Sequence, residues 1–189
     1  MKKTLENLTK AFIGESQARN RYSFYSKIAK KEGYEQIAEI FLITAENEKA
    51  HAKRLFEHIQ ELKENDEIKV EATAPLFYGN TLENLKAAAN GENHEHTQMY
   101  PEFAEIAEQE GLDVISARLK AIASAEQHHE QRFKKLISEI EGNTVFEKNE
   151  EVEWICRECG YPHKGMTPPE KCPSCDHAKS FYQIKCEKY

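Results

Sequence analysis

The chain reads as an all-α protein, a four-helix bundle followed by a small cysteine-knuckle domain. Three observations carry that reading. Four long stretches place apolar residues at alternating steps of three and four, the inward face of a bundled helix. Each apolar stripe is broken at its middle by Glu, or by Glu and His. Two Cys-x-x-Cys pairs follow once the helical pattern has stopped.

The first stripe runs Leu5, Leu8, Phe12, Glu15, Ala18, Tyr22, Tyr25, Ala29, and the second Ile37, Phe41, Thr44, Glu48, His51, Leu55, Ile59, Leu62. The third runs Leu82, Leu85, Ala89, Glu92, Glu95, Met99, Phe103, Ile106, and the fourth Ile115, Leu119, Ile122, Glu126, His129, Phe133, Leu136, Ile140. Gly33 and Gly111 separate the first from the second and the third from the fourth, as left-handed helix stops do. These short connections predict two antiparallel hairpins. Residues 65–80, with Asp66, Pro75, Gly79 and Asn80, lack helical periodicity. Some fifteen extended residues reach about 50 Å, enough to cross a bundle about 40 Å long. One long crossover between hairpins is the ferritin-like arrangement.

The register agrees. Glu15 lies 18 residues before Gly33 and Glu48 lies 15 after it; Glu92 lies 19 before Gly111 and Glu126 lies 15 after it. At about 1.5 Å per residue the four carboxylates share one layer to within roughly a turn. The halves also repeat. Gly14-Glu15 recurs as Gly91-Glu92 at an offset of 77, and Glu48-x-x-His51 recurs as Glu126-x-x-His129 at an offset of 78. Ala18 of the first half corresponds to Glu95 of the second.

A carboxylate in a core stripe is costly unless a positive partner sits beside it. Glu-x-x-His puts two donors one turn apart on a single helix face. A Glu from each of two helices with a Glu-x-x-His from each of the other two is the donor set of di-metal carboxylate bundles. Glu15, Glu92, Glu48/His51 and Glu126/His129 match it, and oxygen and imidazole donors suit Fe, Mn or Zn. For a seventh ligand, spacing favours Glu95 and leaves the neighbouring His96 open. Tyr22 and Tyr100 follow Glu15 and Glu92 by seven and eight residues, and their hydroxyls are placed to reach ligand carboxylates. Packed aromatics would show the same spacing. His58, His94 and His128 read as solvated or flanking residues, and Arg54 and Arg132 as surface salt-bridge partners.

Beyond residue 141 come Gly142, Asn143 and a charged run, a linker over 146–152 between a bundle domain (1–145) and a tail (153–189). The tail is too small to fold without a staple. Cys156-x-x-Cys159-Gly160-Tyr161 and Cys172-Pro173-Ser174-Cys175 supply four thiolates for tetrahedral Zn or Fe. Trp154, Tyr161 and Phe181, together with the redox-capable bundle site, favour iron; spacing does not exclude zinc. Cys186 reads as a free thiol. No run spans a bilayer, and the opening Met-Lys-Lys-Thr-Leu-Glu lacks a signal-peptide core. Thiolate usage suits a reducing cytoplasm. A net charge of -7 argues against a nucleic-acid partner.

With both sites in view the chain resembles the rubrerythrins. The resemblance rests on Gly14-Glu15-Ser16-Gln17-Ala18-Arg19-Asn20-Arg21-Tyr22, the two Glu-x-x-His pairs, Gly91-Glu92-Asn93-x-Glu95, Met99-Tyr100-Pro101-Glu102-Phe103, the rubredoxin-like knuckles and the domain order. Asp176 stands where isolated rubredoxins usually carry Gly. The resemblance implies a non-haem di-iron centre held by Glu15, Glu48, His51, Glu92, Glu95, Glu126 and His129. It implies one iron at Cys156, Cys159, Cys172 and Cys175, and an exchange of His51 for Glu95 with oxidation state. The implied activity is reduction of hydrogen peroxide to water, with Glu95, His51, Tyr22 and Tyr100 around the substrate. Electrons would come from an external NAD(P)H-linked reductase or a rubredoxin, in a head-to-tail homodimer or higher homo-oligomer. The rivals are a ferroxidase or iron-storage protein and a non-catalytic zinc-binding scaffold.

Overall fold

A computed structural model describes residues 3–63 and 67–187; Asp66, read above as part of the crossover, lies outside the described residues. Helix α1 (Lys3–Lys31) turns at Gly33 into α2 (Glu35–Leu62). Gly33 has φ 84°, with Tyr34 N–H donating to Ala29 O at 2.9 Å and Gly33 N–H to Lys30 O at 3.1 Å. Gly111 repeats this, with φ 75° and Leu112 N–H reaching Ala107 O at 2.8 Å. These paired bonds are the Schellman closure, which needs the left-handed residue that glycine tolerates. Helix α5 (Asp113–Glu141) follows the second turn.

The crossover lies along α1. Tyr25 Oη donates to Phe77 O at 2.7 Å and Gln17 Nε2 to Thr73 O at 3.2 Å. It delivers the chain to Asn80, whose side chain accepts from Glu83 N–H while Glu83 accepts from Asn80 N–H, the reciprocal cap that opens α3 (Thr81–His94). Thr81 N–H also donates to Glu32 at 2.9 Å, fixing the start of α3 beside the Gly33 turn. The bundle is therefore two hairpins joined by one long connection, as the periodicity and loop lengths predict. None of the described helices is long and apolar enough to cross a membrane.

The third helix departs from the sequence reading. It is interrupted by a π-helical turn, Glu95–Met99, before continuing as α4 (Tyr100–Gln109). One extra residue rotates everything after it by about 100°. The buried residues past the turn are consequently Tyr100, Ala104 and Ala107, and the expected inward set Met99, Phe103 and Ile106 is only partly buried.

Two apolar clusters flank the acidic layer. One, toward the Gly33 turn, packs Tyr22, Tyr25, Ile37, Phe41, Leu85 and Phe133 among others. The other, toward the Gly111 turn, packs Leu5, Leu8, Leu55, Tyr100, Ile115 and Leu119. Each fully buried aliphatic or aromatic side chain contributes about 1.5–3 kcal/mol, and these two plugs hold the layer between them shut.

The tail is a three-stranded antiparallel sheet ordered β2-β1-β3, with β1 Val152–Cys156, β2 Pro162–Gly165 and β3 Tyr182–Ile184. It sits against the Gly33 end of the bundle. Tyr34 stacks on Phe146 with ring centroids 6.3 Å apart, and Arg157 pairs with Glu39.

Candidate metal centres

Glu15, Glu48, Glu92 and Glu126 are each no more than 1% exposed, and His129 is 3% exposed. His51 is partly buried beside them. Their donor atoms form two overlapping groups, Glu15/Glu48/His51/Glu126 and Glu48/Glu92/Glu126/His129, each lying within 4.8 Å of one another. Glu48 and Glu126 belong to both. The two groups repeat each other closely. His51 Nδ1 lies 2.8 Å from Glu126, 3.1 Å from Glu48 and 3.8 Å from Glu15. His129 Nδ1 lies 2.8 Å from Glu126, 3.2 Å from Glu48 and 3.5 Å from Glu92.

These contacts are close, yet most are not hydrogen bonds. Glu15 Oε2, Glu48 Oε1, Glu92 Oε2, both Glu126 oxygens and His129 Nδ1 are shut from solvent with no hydrogen-bond partner. Buried polar atoms are almost always satisfied, so lone pairs converging on common points fit multivalent cations. The donor chemistry, carboxylate and imidazole with two shared carboxylates, fits a di-iron pair.

The titration behaviour shows the strain of the layer by itself. Burial raises Glu15 well above the usual carboxylate range, with Glu48 and Glu126 adding to it and His51 opposing. Burial and the Glu48 carboxylate push Glu92 up to about 8. Burial also acts upward on Glu48, but His129 and His51 outweigh it and hold it at about 2. Burial acts downward on both imidazoles, and the surrounding carboxylates overcome it, raising His129 to about 12 and His51 strongly in the same direction. Protons thus stand in for metal charge, an arrangement a bound cation would invert.

Tyr22 Oη donates to Glu92 Oε1 at 2.6 Å, and Tyr100 Oη donates to Glu15 Oε1. Both rings are buried, and burial together with the carboxylates raises both phenols. Arg132 is a correction to the surface reading. Its Nη2 donates to the buried Thr44 Oγ1 at 2.6 Å, and the Glu92 and Glu48 carboxylates act on it. Arg54 pairs with Glu57 on the surface as expected. His58 is also corrected: it is 2% exposed, with Nδ1 2.9 Å from Glu61. His94 and His128 are exposed.

Glu95 lies on the π turn and belongs to neither donor group. It is partly exposed, lining a surface hollow of about 550 Å³ with Gln17, Gly91, Gln98 and Met99. Burial of its carboxyl and the charges of Glu15 and Glu92 raise its pKa well above normal. His96 turns away from the layer, with Nε2 3.0 Å from Glu130, which also accepts from Asn93 at 2.9 Å and pairs with Lys134. This Glu130 cluster, bracing the π turn against α5, carries no motif, and sequence reasoning missed it. The π turn did leave a signal: the repeat offset grows from 77 at Glu92 to 78 at Tyr100, one residue inserted between them.

In the tail, Cys156 Sγ lies 3.7 Å from Cys175 Sγ, and Cys159 Sγ lies 3.7 Å from Cys172 Sγ. A disulfide would need about 2.05 Å. A tetrahedral ion with metal–sulfur bonds of about 2.3 Å places its ligands about 3.75 Å apart, so the four sulfurs fit one metal. The knuckles match each other: Gly160 (φ 76°) N–H donates to Cys156 O, and Asp176 (φ 62°) N–H donates to Cys172 O, both at 2.9 Å. Asp at the second position adopts the left-handed conformation that Gly takes at the first. Cys172 is held at about 6: burial opposes, while the Tyr182 hydroxyl and the backbone N–H groups of Ser174 and Cys175 favour its thiolate. Cys186 is exposed and takes no part.

A ferritin-like bundle with a carboxylate–histidine di-metal layer, carrying a rubredoxin-like four-cysteine tail, is the class these two sites define. Comparison with known proteins agrees. The family model Rubrerythrin matches residues 6–137, and the model for the rubrerythrin rubredoxin-like domain matches 154–183. A Methanocaldococcus jannaschii protein is 61% identical, covering 100% of this chain and 96% of the relative. Rubrerythrin-1 of Clostridium acetobutylicum is 50% identical over 99% of this chain and 96% of its own length. A solved structure of fully reduced, all-ferrous nigerythrin aligns with TM-score 0.66 at 33% identity, over 96% of this chain and 86% of that one. The chain belongs to the rubrerythrin family, whose cofactors are a di-iron centre and a rubredoxin-type iron.

Proposed function

We propose that this protein is a peroxidase that reduces hydrogen peroxide to water, with electrons delivered through the four-cysteine iron. The observation that carries the reading is the set of buried, unpartnered lone pairs in the bundle, joined in one chain to a one-electron thiolate site. Glu15, Glu48, His51 and Glu126 would hold one iron and Glu48, Glu92, Glu126 and His129 the other, Glu48 and Glu126 being common to both donor groups. Bound as a ferrous pair, iron would supply the two electrons of H2O2 + 2 e⁻ + 2 H⁺ → 2 H2O.

The residues around that layer have separable tasks. Tyr22 and Tyr100 fix the carboxylates of Glu92 and Glu15 and offer hydroxyls at the site. The apolar clusters above and below exclude bulk water. Among the carboxylate charges that raise Glu95, that of Glu15 comes first after burial, and Glu15 shares its donor group with His51. That shared neighbour supports reading Glu95 and His51 as alternates at one position, with the π turn as the hinge. The hollow beside Glu95 gives a small oxidant a way in.

The tail docks at the Gly33 end, and His129 stands about 18 Å of helix from that end. A head-to-tail homodimer, one chain's cysteines beside the other's carboxylates, shortens that path. An external reductase, NAD(P)H-linked or itself a rubredoxin, would refill the cysteine site. A reducing cytoplasm suits four thiolates. Stopped-flow oxidation of the anaerobic, reduced protein is the test. Oxidation much faster with peroxide than with oxygen is expected; the reverse order would make the bundle a ferroxidase.

A further inference from the structure

Tyr182 is 1% exposed, and its hydroxyl oxygen is shut from solvent with no hydrogen-bond partner. Its ring belongs to the tail's small core with Trp154, Cys156 and Cys172. The β1–β3 register sets it opposite Cys156, and Cys172, itself fully buried, packs in the same small core. A Phe would fill the same space without burying a lone polar atom. A hydroxyl kept in such a place needs an acceptor, and the one at hand is a metal-ligating sulfur.

We propose that Tyr182 tunes the reduction potential of the tail's iron: its O–H donates to the Cys172 thiolate once the four cysteines hold the metal. The inference rests on the iron reading of the tail given above. Four thiolates around ferric iron carry a net charge of -1, and one electron takes this to -2 with no proton required. Hydrogen bonds to the sulfurs stabilise the more negative state and raise the potential. Backbone N–H groups in the knuckles act in the same sense. Tyr182 adds a donor from outside the knuckles, so it can be removed without disturbing them. It acts on the iron through Cys172 and is a positioning and tuning residue, not a catalytic one.

Tyr182→Phe keeps the ring and removes the donor. In the full iron-loaded chain the ferric charge-transfer spectrum should persist, which reports intact four-thiolate iron. The ferric–ferrous equilibrium should shift about tenfold toward ferric, which for one electron is about 59 mV lower in potential. A shift of less than twofold with full iron content would overturn the proposal. The full chain loaded with cadmium-113 gives a second measurement that does not depend on iron. Expected is a slowly exchanging Tyr182 hydroxyl proton scalar-coupled to the metal through sulfur. A rapidly exchanging, uncoupled hydroxyl would overturn the hydrogen bond itself. A tail that takes up zinc and refuses iron would sink the iron reading, and with it the tuning role, while the cadmium result still decides the contact.

Discussion

The hydroxyl of Tyr22, on the first hairpin, is bonded to Glu92 on the second, 2.6 Å away. Tyr100, on the second hairpin, returns the contact to Glu15 on the first. Each half of the repeat thus holds the other half's carboxylate. The two bonds are equivalent in burial and chemistry, so Tyr22→Phe and Tyr100→Phe should destabilise alike. Losing one buried bond to a carboxyl costs about 1–3 kcal/mol, several degrees in a chain of this size. Thermal unfolding of both variants checks it, and a drop in only one would show that the pseudo-symmetry is not energetic.

The metal-free layer makes stability depend on pH with a definite sign. Glu48 is lowered to about 2, so it adds stability above its ordinary value of 4.5 that is lost as pH falls toward 2. Glu92 is raised to about 8, so stability present below 4.5 is lost as pH climbs to 8. His129 is raised to about 12, so its contribution is complete below 6.5 and declines above that. The metal-free protein should be most stable near pH 5 and weaken toward pH 8. Binding must expel these protons, so calorimetry in buffers of different ionisation enthalpy should show at least two released per pair of ions, from His51 and His129. Metal-loaded protein should lose the decline between pH 5 and 8. An unchanged slope would mean the layer is not where metal binds.

What the sequence made legible was what repeats with a helical period. Glu15, Glu48, Glu92, Glu126 and His129 announced themselves because a charge in an apolar stripe is physically anomalous, and the glycine turns fixed their depth. Gly33 and Gly111 were readable because left-handed residues have few substitutes. The π turn was not, because nothing local forbids an α-helix over 95–99; only the drift of one residue between the halves marks it. His58 and Arg132 were misplaced for a related reason. A polar residue one position off a stripe can snorkel out or turn in, and periodicity does not choose.

Trp154 is the chain's one tryptophan and it lies fully buried in the tail. The tail's core has three other buried members, two of them cysteines, too little to hold a domain of this size folded unaided. Removing metal with a strong chelator should therefore unfold the tail and leave the bundle. Trp fluorescence should shift red while helical circular dichroism changes little. A Trp signal indifferent to chelation would show that the tail does not depend on its metal.

Glu95 lies outside both donor groups while His51 lies inside one. In the proposed scheme Glu95→Gln leaves reduced protein with its full complement of two bundle irons. Peroxide turnover should fall roughly 10–100-fold, the usual cost of disturbing the supports of a metal site. Iron analysis and stopped-flow kinetics separate the two effects. Loss of one iron from the reduced variant would make Glu95 a constant ligand and remove the exchange.

The electron path depends on how two chains are arranged. The contacts Tyr34–Phe146 and Arg157–Glu39 bind the tail to one end of its own bundle, and the carboxylate layer lies at mid-height. A chain with Cys172→Ser keeps its bundle site and loses its tail iron; a chain with Glu126→Ala does the reverse. Neither homodimer should turn over peroxide. Mixed and reassembled, a head-to-tail heterodimer pairs the intact tail of one chain with the intact bundle of the other, so activity should return toward half the wild-type value per dimer. The route within a single chain has no such rescue, because no chain in the mixture carries both sites. Heterodimers as inactive as the parents would put electron transfer inside the subunit and discard the head-to-tail arrangement.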